Sequence, residues 1–199
     1  HIECWCLVKA GKCVIPRTVK EQLRPFPTGN TVWSIVYQEV EMKKRVLVIG
    51  LDCATSEILF DKRDQFPNLK KLIEKGIHGN LRSCHPPITI PAWMVMATSI
   101  SPGKLGLYGF RHRRGYSYDD MWVATSHSVK KPAIWDIIGE QGLKSCLVAV
   151  PPTYPIKPIN GWVISCFITP DTKRDYTYPS ELKKEIEEII GEYIIDVTF

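Results

Sequence analysis

Pro86-Pro87-Ile88-Thr89-Ile90-Pro91-Ala92-Trp93 holds one threonine between two proline-fixed points. The apolar run that follows, Ala92-Trp93-Met94-Val95-Met96-Ala97-Thr98, predicts a helix. Proline is well tolerated in a first helical turn, where its missing N–H has no intrahelical use. Pro91 therefore marks the helix start and leaves Thr89 at or just before the N-terminus. Two readings of Thr89 follow. It is an N-cap, satisfying a free backbone N–H. Or its hydroxyl is a nucleophile facing an anion, because helix N-termini carry free N–H groups and partial positive charge.

Working outward, Met42-Lys43-Lys44-Arg45 leads into Val46-Leu47-Val48-Ile49-Gly50-Leu51-Asp52. An apolar run bounded by charge on one side and Gly and Asp on the other predicts a buried parallel strand. Asp52 then sits at the strand's carboxyl end, where open α/β sheets place their ligands. Ser56 to Phe60 predicts a short helical turn. Phe66 to Gly76 predicts a helix with Leu69, Leu72 and Ile73 on one face and Gly76 closing it in the left-handed region. Ile77 to Ser83 returns as a strand, completing a right-handed crossover. Met121 to Thr125, Lys144 to Val150 and Gly161 to Ser165 read as further strands. Pro132 to Gly142 reads as a helix with an apolar face at Ile134, Ile137 and Ile138. Pro179 to Gly191 reads as another, with Leu182, Ile186, Ile189 and Ile190 on one face. Tyr193 to Phe199 is strand-like. This alternation predicts an α/β fold with a mainly parallel sheet sandwiched by helices.

The composition is that of an ordinary packed domain. A net charge of +5 fits an anionic substrate and is too weak to argue for nucleic acid. No apolar run reaches the length of a membrane span, and no signal-peptide pattern is present, so the chain reads as cytoplasmic, with no membrane partner. Seven cysteines, most in or beside apolar segments, read as reduced thiols. Cys4-x-Cys6 with Cys13 lacks a fourth ligand at a usual metal spacing. Cys53 reads as a small buried packing residue. Residues 1–41 show no sustained period beyond a candidate strand at Thr31 to Tyr37. They read as an extension outside the domain, with a hairpin packed on the sheet edge as the alternative.

The pieces taken together resemble the alkaline phosphatase superfamily, and within it the type I phosphodiesterase/nucleotide pyrophosphatase branch. The resemblance rests on Gly50-Leu51-Asp52 and on Phe66-Pro67-Asn68-Leu69 with Leu72 and Gly76. It continues through Thr89-x-Pro91-Ala92-Trp93, Ala97-Thr98 and Ser101-Pro102-Gly103-Lys104-Leu105-Gly106. It implies that Asp52 ligates a catalytic metal and that Thr89 is the nucleophile and also touches the metal. Two divalent ions are implied, zinc first, with manganese or magnesium as alternatives. Leu105 stands where members often carry His, and Phe110 stands at the place of a phosphate-binding Asn. Arg111, next to Phe110, is the candidate to hold a phosphate oxygen instead.

The implied activity is hydrolysis of a small phosphorylated substrate, a phosphodiester or nucleotide pyrophosphate. A phosphomutase or phosphotransferase of the same superfamily and a non-catalytic α/β binding module are the alternatives. A sulfatase requires Cys or Ser before x-Pro-x-Arg, and Thr89-Ile90-Pro91-Ala92-Trp93 does not supply it. Ser101 to Tyr118 reads as a long basic loop, and Asp119 and Asp120 as a solvated turn. Pro151 to Pro158 reads as a rigid loop at the rim of the site. A two-metal site needs about six protein ligands. After Thr89 the histidines are His112 and His127, neither in an arrangement resembling the family's second-half motifs. Residues 42–199 are therefore expected to be the N-terminal part of a catalytic domain, incomplete at the C-terminus, with the remaining ligands beyond Phe199.

Overall fold

The computed structural model describes residues 5–8 and 45–196. In chain order the strands are β1 (Trp5–Val8), β2 (Val48–Leu51), β3 (Arg111–Arg113), β4 (Met121–Val123), β5 (Ser145–Val148), β6 (Gly161–Ile164) and β7 (Thr177–Tyr178). The helices are α1 (Pro67–Lys75), α2 (Thr89–Thr98), α3 (Pro102–Leu105), α4 (Ile134–Glu140) and α5 (Glu181–Ile190). The candidate strand at 31–37, the Cys4 and Cys13 thiols and most of the 1–41 segment lie outside the described residues.

The core is built on α2. Ile90, Met94 and Ala97 recur at helical spacing and are buried, together with Leu107, Ala124 and Ala133. Trp93, Trp122 and Trp135 pack around this cluster. Each large side chain so buried contributes about 1.5–3 kcal/mol. The helix begins at Thr89, with Ile88 extended before it and Pro91 inside the first turn. It ends at Ser99, which adopts the left-handed conformation and returns its N–H to the Val95 carbonyl at 2.8 Å.

The sheet differs from expectation. Three small sheets form among the described residues. β1–β2 and β3–β4 are antiparallel pairs. In the third sheet β5 and β6 are parallel, and β7 joins β6 antiparallel. A mainly parallel sheet sandwiched by helices is therefore not what these residues assemble. The Val46–Asp52 run is the main correction. It forms β2, but its partner is antiparallel, with Gly50 opposite Cys6 and Leu51 opposite Trp5. The described helices cover little of it, and Val46, Leu47, Val48, Ile49 and Leu51 are from 44 % to 70 % exposed.

The Ile77–Ser83 stretch is not a strand, and Ile77 is fully exposed. Gly79 and Asn80 interrupt it, and both are poor strand residues. The expected crossover is therefore absent from the described residues. Gly76 closes α1 in extended conformation, not the left-handed one. Glycine is used there for close approach, because a Cβ would stand 2.9 Å from the Leu72 carbonyl oxygen.

Helices α1, α2, α4 and α5 fall where the sequence puts them, as does a single turn at Glu57–Asp61, whereas α3 lies in a stretch read as loop. Their faces bury less than the pattern implies. α1 buries Ile73 with Leu69 and Leu72 half-covered. In α4, Ile134 and Ile137 face solvent, while Ala133 and Trp135 turn to the core. α5 packs on β7 through half-buried Leu182 and Ile186, leaving Ile189 81 % exposed. Beneath it Tyr176 is wholly buried, stacked on Tyr193 with centroids 5.2 Å apart. Tyr193–Asp196 is irregular and not a strand. No helix among the described residues is long and apolar enough to cross a membrane.

Candidate active site

Asp52 lies in the turn that follows β2, and Thr89 is the first residue of α2. The two side chains meet across 37 positions of sequence. The Thr89 hydroxyl donates to Asp52 Oδ2 at 2.9 Å. The other carboxylate oxygen, Oδ1, accepts the backbone N–H of Cys53 at 3.1 Å. Thr89 makes no capping bond, and Ile88 occupies the N-cap position. The hydroxyl is thus committed to a carboxylate outside the helix and not to the helix's own backbone.

The backbone around Thr89 leaves donors free. The first intrahelical bond runs from the Ala92 N–H to the Ile88 carbonyl at 3.0 Å. Pro91 has no N–H, so the amides of Thr89 and Ile90 are the two without an intrahelical partner. Both sit beside the Thr89 hydroxyl, at the positive end of the helix dipole.

A second contact joins the same two elements. The Trp93 ring lies directly on Gly50. A Cβ built on Gly50 would overlap Trp93 Cη2 and stand 2.6 Å from Cζ3. Both residues belong to the motifs that carry the resemblance, yet spacing alone assigned neither a role. The sign was there in retrospect: a glycine two residues before the aspartate and a tryptophan one helical turn after the threonine.

A family model for type I phosphodiesterase / nucleotide pyrophosphatase matches residues 46–197. That span contains Asp52, Thr89 and nearly every described element. The chain belongs to this family. It is thereby a member of the alkaline phosphatase superfamily. No curated protein and no solved structure matches it.

Within this phosphodiesterase-family chain the third expected site residue is Arg111. It opens β3, opposite Val123, and is exposed. No hydrogen bond or ion pair among the described residues ties it to Asp52 or Thr89. Its neighbours are engaged: Arg113 lies 4.5 Å above the Tyr118 ring, and Arg114 pairs with Asp120 at 3.8 Å. The chain just before it does run near the site, since a Cβ on Gly109 would lie 3.9 Å from Ile88 Cδ1. Phe110 packs on Phe167 with the rings tilted, centroids 6.0 Å apart. The 101–118 segment is more ordered than a long loop, holding α3 and β3, and Asp119 and Asp120 lie in the exposed β3–β4 turn.

Phosphodiesterases of this family are generally metal-dependent. The Asp52 carboxylate and Thr89 hydroxyl are hard oxygen donors 2.9 Å apart and suit a divalent cation as two of its ligands. Among the described residues no group of three His, Cys, Asp or Glu side chains stands close enough to hold an ion. His112 is occupied elsewhere. Its Nε2 accepts the Tyr108 N–H at 2.9 Å, its ring stacks on Trp122 at 4.3 Å, and burial pushes its pKa down. His127 is exposed on the Ser126–Ser128 turn.

Cys53 corrects the reading of a buried packing residue. It is exposed and holds a left-handed φ of 59°. Partial desolvation and the neighbouring Asp52 charge push its thiol pKa up, which makes it a poor nucleophile. The Pro151–Pro158 loop begins buried, at Pro151, Pro152 and Thr153, so its first half is part of the packing and not a rim.

Proposed function

We propose that this phosphodiesterase-family chain hydrolyses a phosphoester, a phosphodiester or nucleotide pyrophosphate, with Thr89 as the nucleophile. The observation that carries the reading is the 2.9 Å hydrogen bond from the Thr89 hydroxyl to Asp52. A threonine at a helix start is ordinarily a cap. Here the cap bond is missing and a carboxylate takes its place, which favours a reactive group over a structural one.

In this reading Asp52 orients the hydroxyl and accepts its proton as the oxygen attacks. The Thr89 oxygen forms a bond to phosphorus as the bond to the leaving oxygen breaks. The free amides of Thr89 and Ile90 receive the negative equatorial oxygens. Arg111 reaches a phosphate oxygen from the β3 side, its fork matched to that geometry. Water then attacks phosphorus and releases Thr89. Asp52 and Thr89 are the residues that would ligate a divalent ion, zinc first, with a second ion held by other ligands. Such ions, when bound, lower the hydroxyl's pKa and neutralise phosphate charge. Residues 42–199 are read as catalytic-domain sequence and 1–41 as an extension, although β1 pairs with β2.

The test is turnover of a chromogenic phosphodiester by the full-length protein with divalent metal supplied. Thr89→Ala is expected to abolish turnover with its melting temperature nearly unchanged, while Thr89→Ser retains part of it. Substantial turnover by Thr89→Ala would refute the nucleophile assignment.

A further inference from the structure

Two contacts, and not one, set α2 against β2. Thr89 and Trp93 are four residues apart, so they share one face of the helix. Gly50 is in β2 and Asp52 lies in the turn one residue past its end. Thr89 meets Asp52 and Trp93 meets Gly50. The two contacts thus lie one helical turn apart on α2 and two residues apart at the end of β2.

The second contact is the one able to hold that arrangement. β2 is exposed along its length and gains little from burial. Trp93 packs against the α2 core and at the same time lies on Gly50. It therefore links a strand with little cover to the one well-buried helix beside it. Only glycine at position 50 allows the approach, because any Cβ would enter the ring. The indole is used for its size and flatness. Its Nε1–H is buried and finds no acceptor among the described residues.

We propose that Trp93, seated on Gly50, is a positioning residue that fixes the distance between Asp52 and Thr89. The catalytic part of this claim rests on Thr89 being the nucleophile; the geometric part does not. A shift of about 1 Å between reacting groups can cost on the order of a hundredfold in rate. A single hydrogen bond across an exposed turn cannot by itself keep the two elements from sliding by that much.

The experiment separates the two parts. Asp52→Asn and Thr89→Val are made singly and together in the full-length protein, and their coupling is read from chemical denaturation. The expected coupling is about fivefold in the unfolding equilibrium constant. The same cycle is repeated in Trp93→Leu, where the coupling should fall to about one, and in Trp93→Phe, where a flat ring should keep most of it. If Trp93→Leu does not fold, Gly50→Ala makes the same displacement from the strand side. On activity, Trp93→Leu should lower kcat about a hundredfold with KM little changed, and Trp93→Phe should restore most of it. A coupling that is absent in the parent protein, or unchanged in Trp93→Leu, overturns the positioning role whatever happens to turnover. Coupling lost with kcat intact leaves the packing but overturns its catalytic purpose, while the nucleophile reading stands or falls on Thr89→Ala alone.

Discussion

β2 and α2 start from similar sequence and end differently. Val46-Leu47-Val48-Ile49 and Trp93-Met94-Val95-Met96 are both unbroken apolar runs. Met94 is buried to 1 % exposure, whereas Val48 remains half exposed. α2 has Leu107, Ala124 and Ala133 against its inner face. β2 has one antiparallel partner and, among the described residues, little over its faces beyond the Trp93 ring on Gly50. An apolar run states what a segment needs, and burial depends on whether another segment supplies it. The candidate site lies where the two meet, with Asp52 carried by the unsupported element and Thr89 by the supported one.

The comparison is broken most severely from the α2 side. Met94→Ala removes a side chain from the centre of the cluster and should cost about 2–5 kcal/mol, read from the denaturation midpoint at constant slope. Val48→Ala, made on β2, should cost under about 1 kcal/mol, because little surface is removed from water there. Equal losses would mean that β2 is as well covered as α2, and the contrast drawn here would fail.

The smallest effect concerns the hairpin that leans on the same core. His112 stacks on Trp122, and burial lowers its pKa from the ordinary 6.5. The unfolded chain therefore takes up a proton at higher pH than the folded one does. Stability should be full above about pH 6.5 and decline as pH falls from there toward the depressed folded value. Melting temperatures between neutral and mildly acidic pH should show this slope, and His112→Gln should flatten it. A slope that His112→Gln leaves intact would place the proton uptake elsewhere.

α2 was readable because Pro91 marks its first turn and because Ile90, Met94 and Ala97 repeat at helical spacing. Asp52 was readable as the end of an apolar run. The resemblance brought it together with Thr89, and the structure joins the two by a hydrogen bond. The exposure of β2 was not readable, because periodicity records a strand's own faces and says nothing of its neighbours. Ile134, Ile137 and Ile189 misled for the same reason: each has correct helical spacing and no partner surface. The Gly50–Trp93 contact spans 43 positions between residues that each have ordinary local explanations. Arg111 was chosen for its place beside Phe110 in sequence, and it opens β3 with its side chain exposed.

The central claim is that the Thr89 oxygen becomes bonded to phosphorus during turnover. The most direct measurement is peptide mass spectrometry of full-length protein quenched in acid while turning over bis(p-nitrophenyl) phosphate. The account predicts a p-nitrophenyl phosphoryl group on the peptide containing Thr89, located on Thr89 itself and absent from Thr89→Ala. Turnover with no adduct on Thr89 at any quench time, or an adduct on another residue, would contradict it.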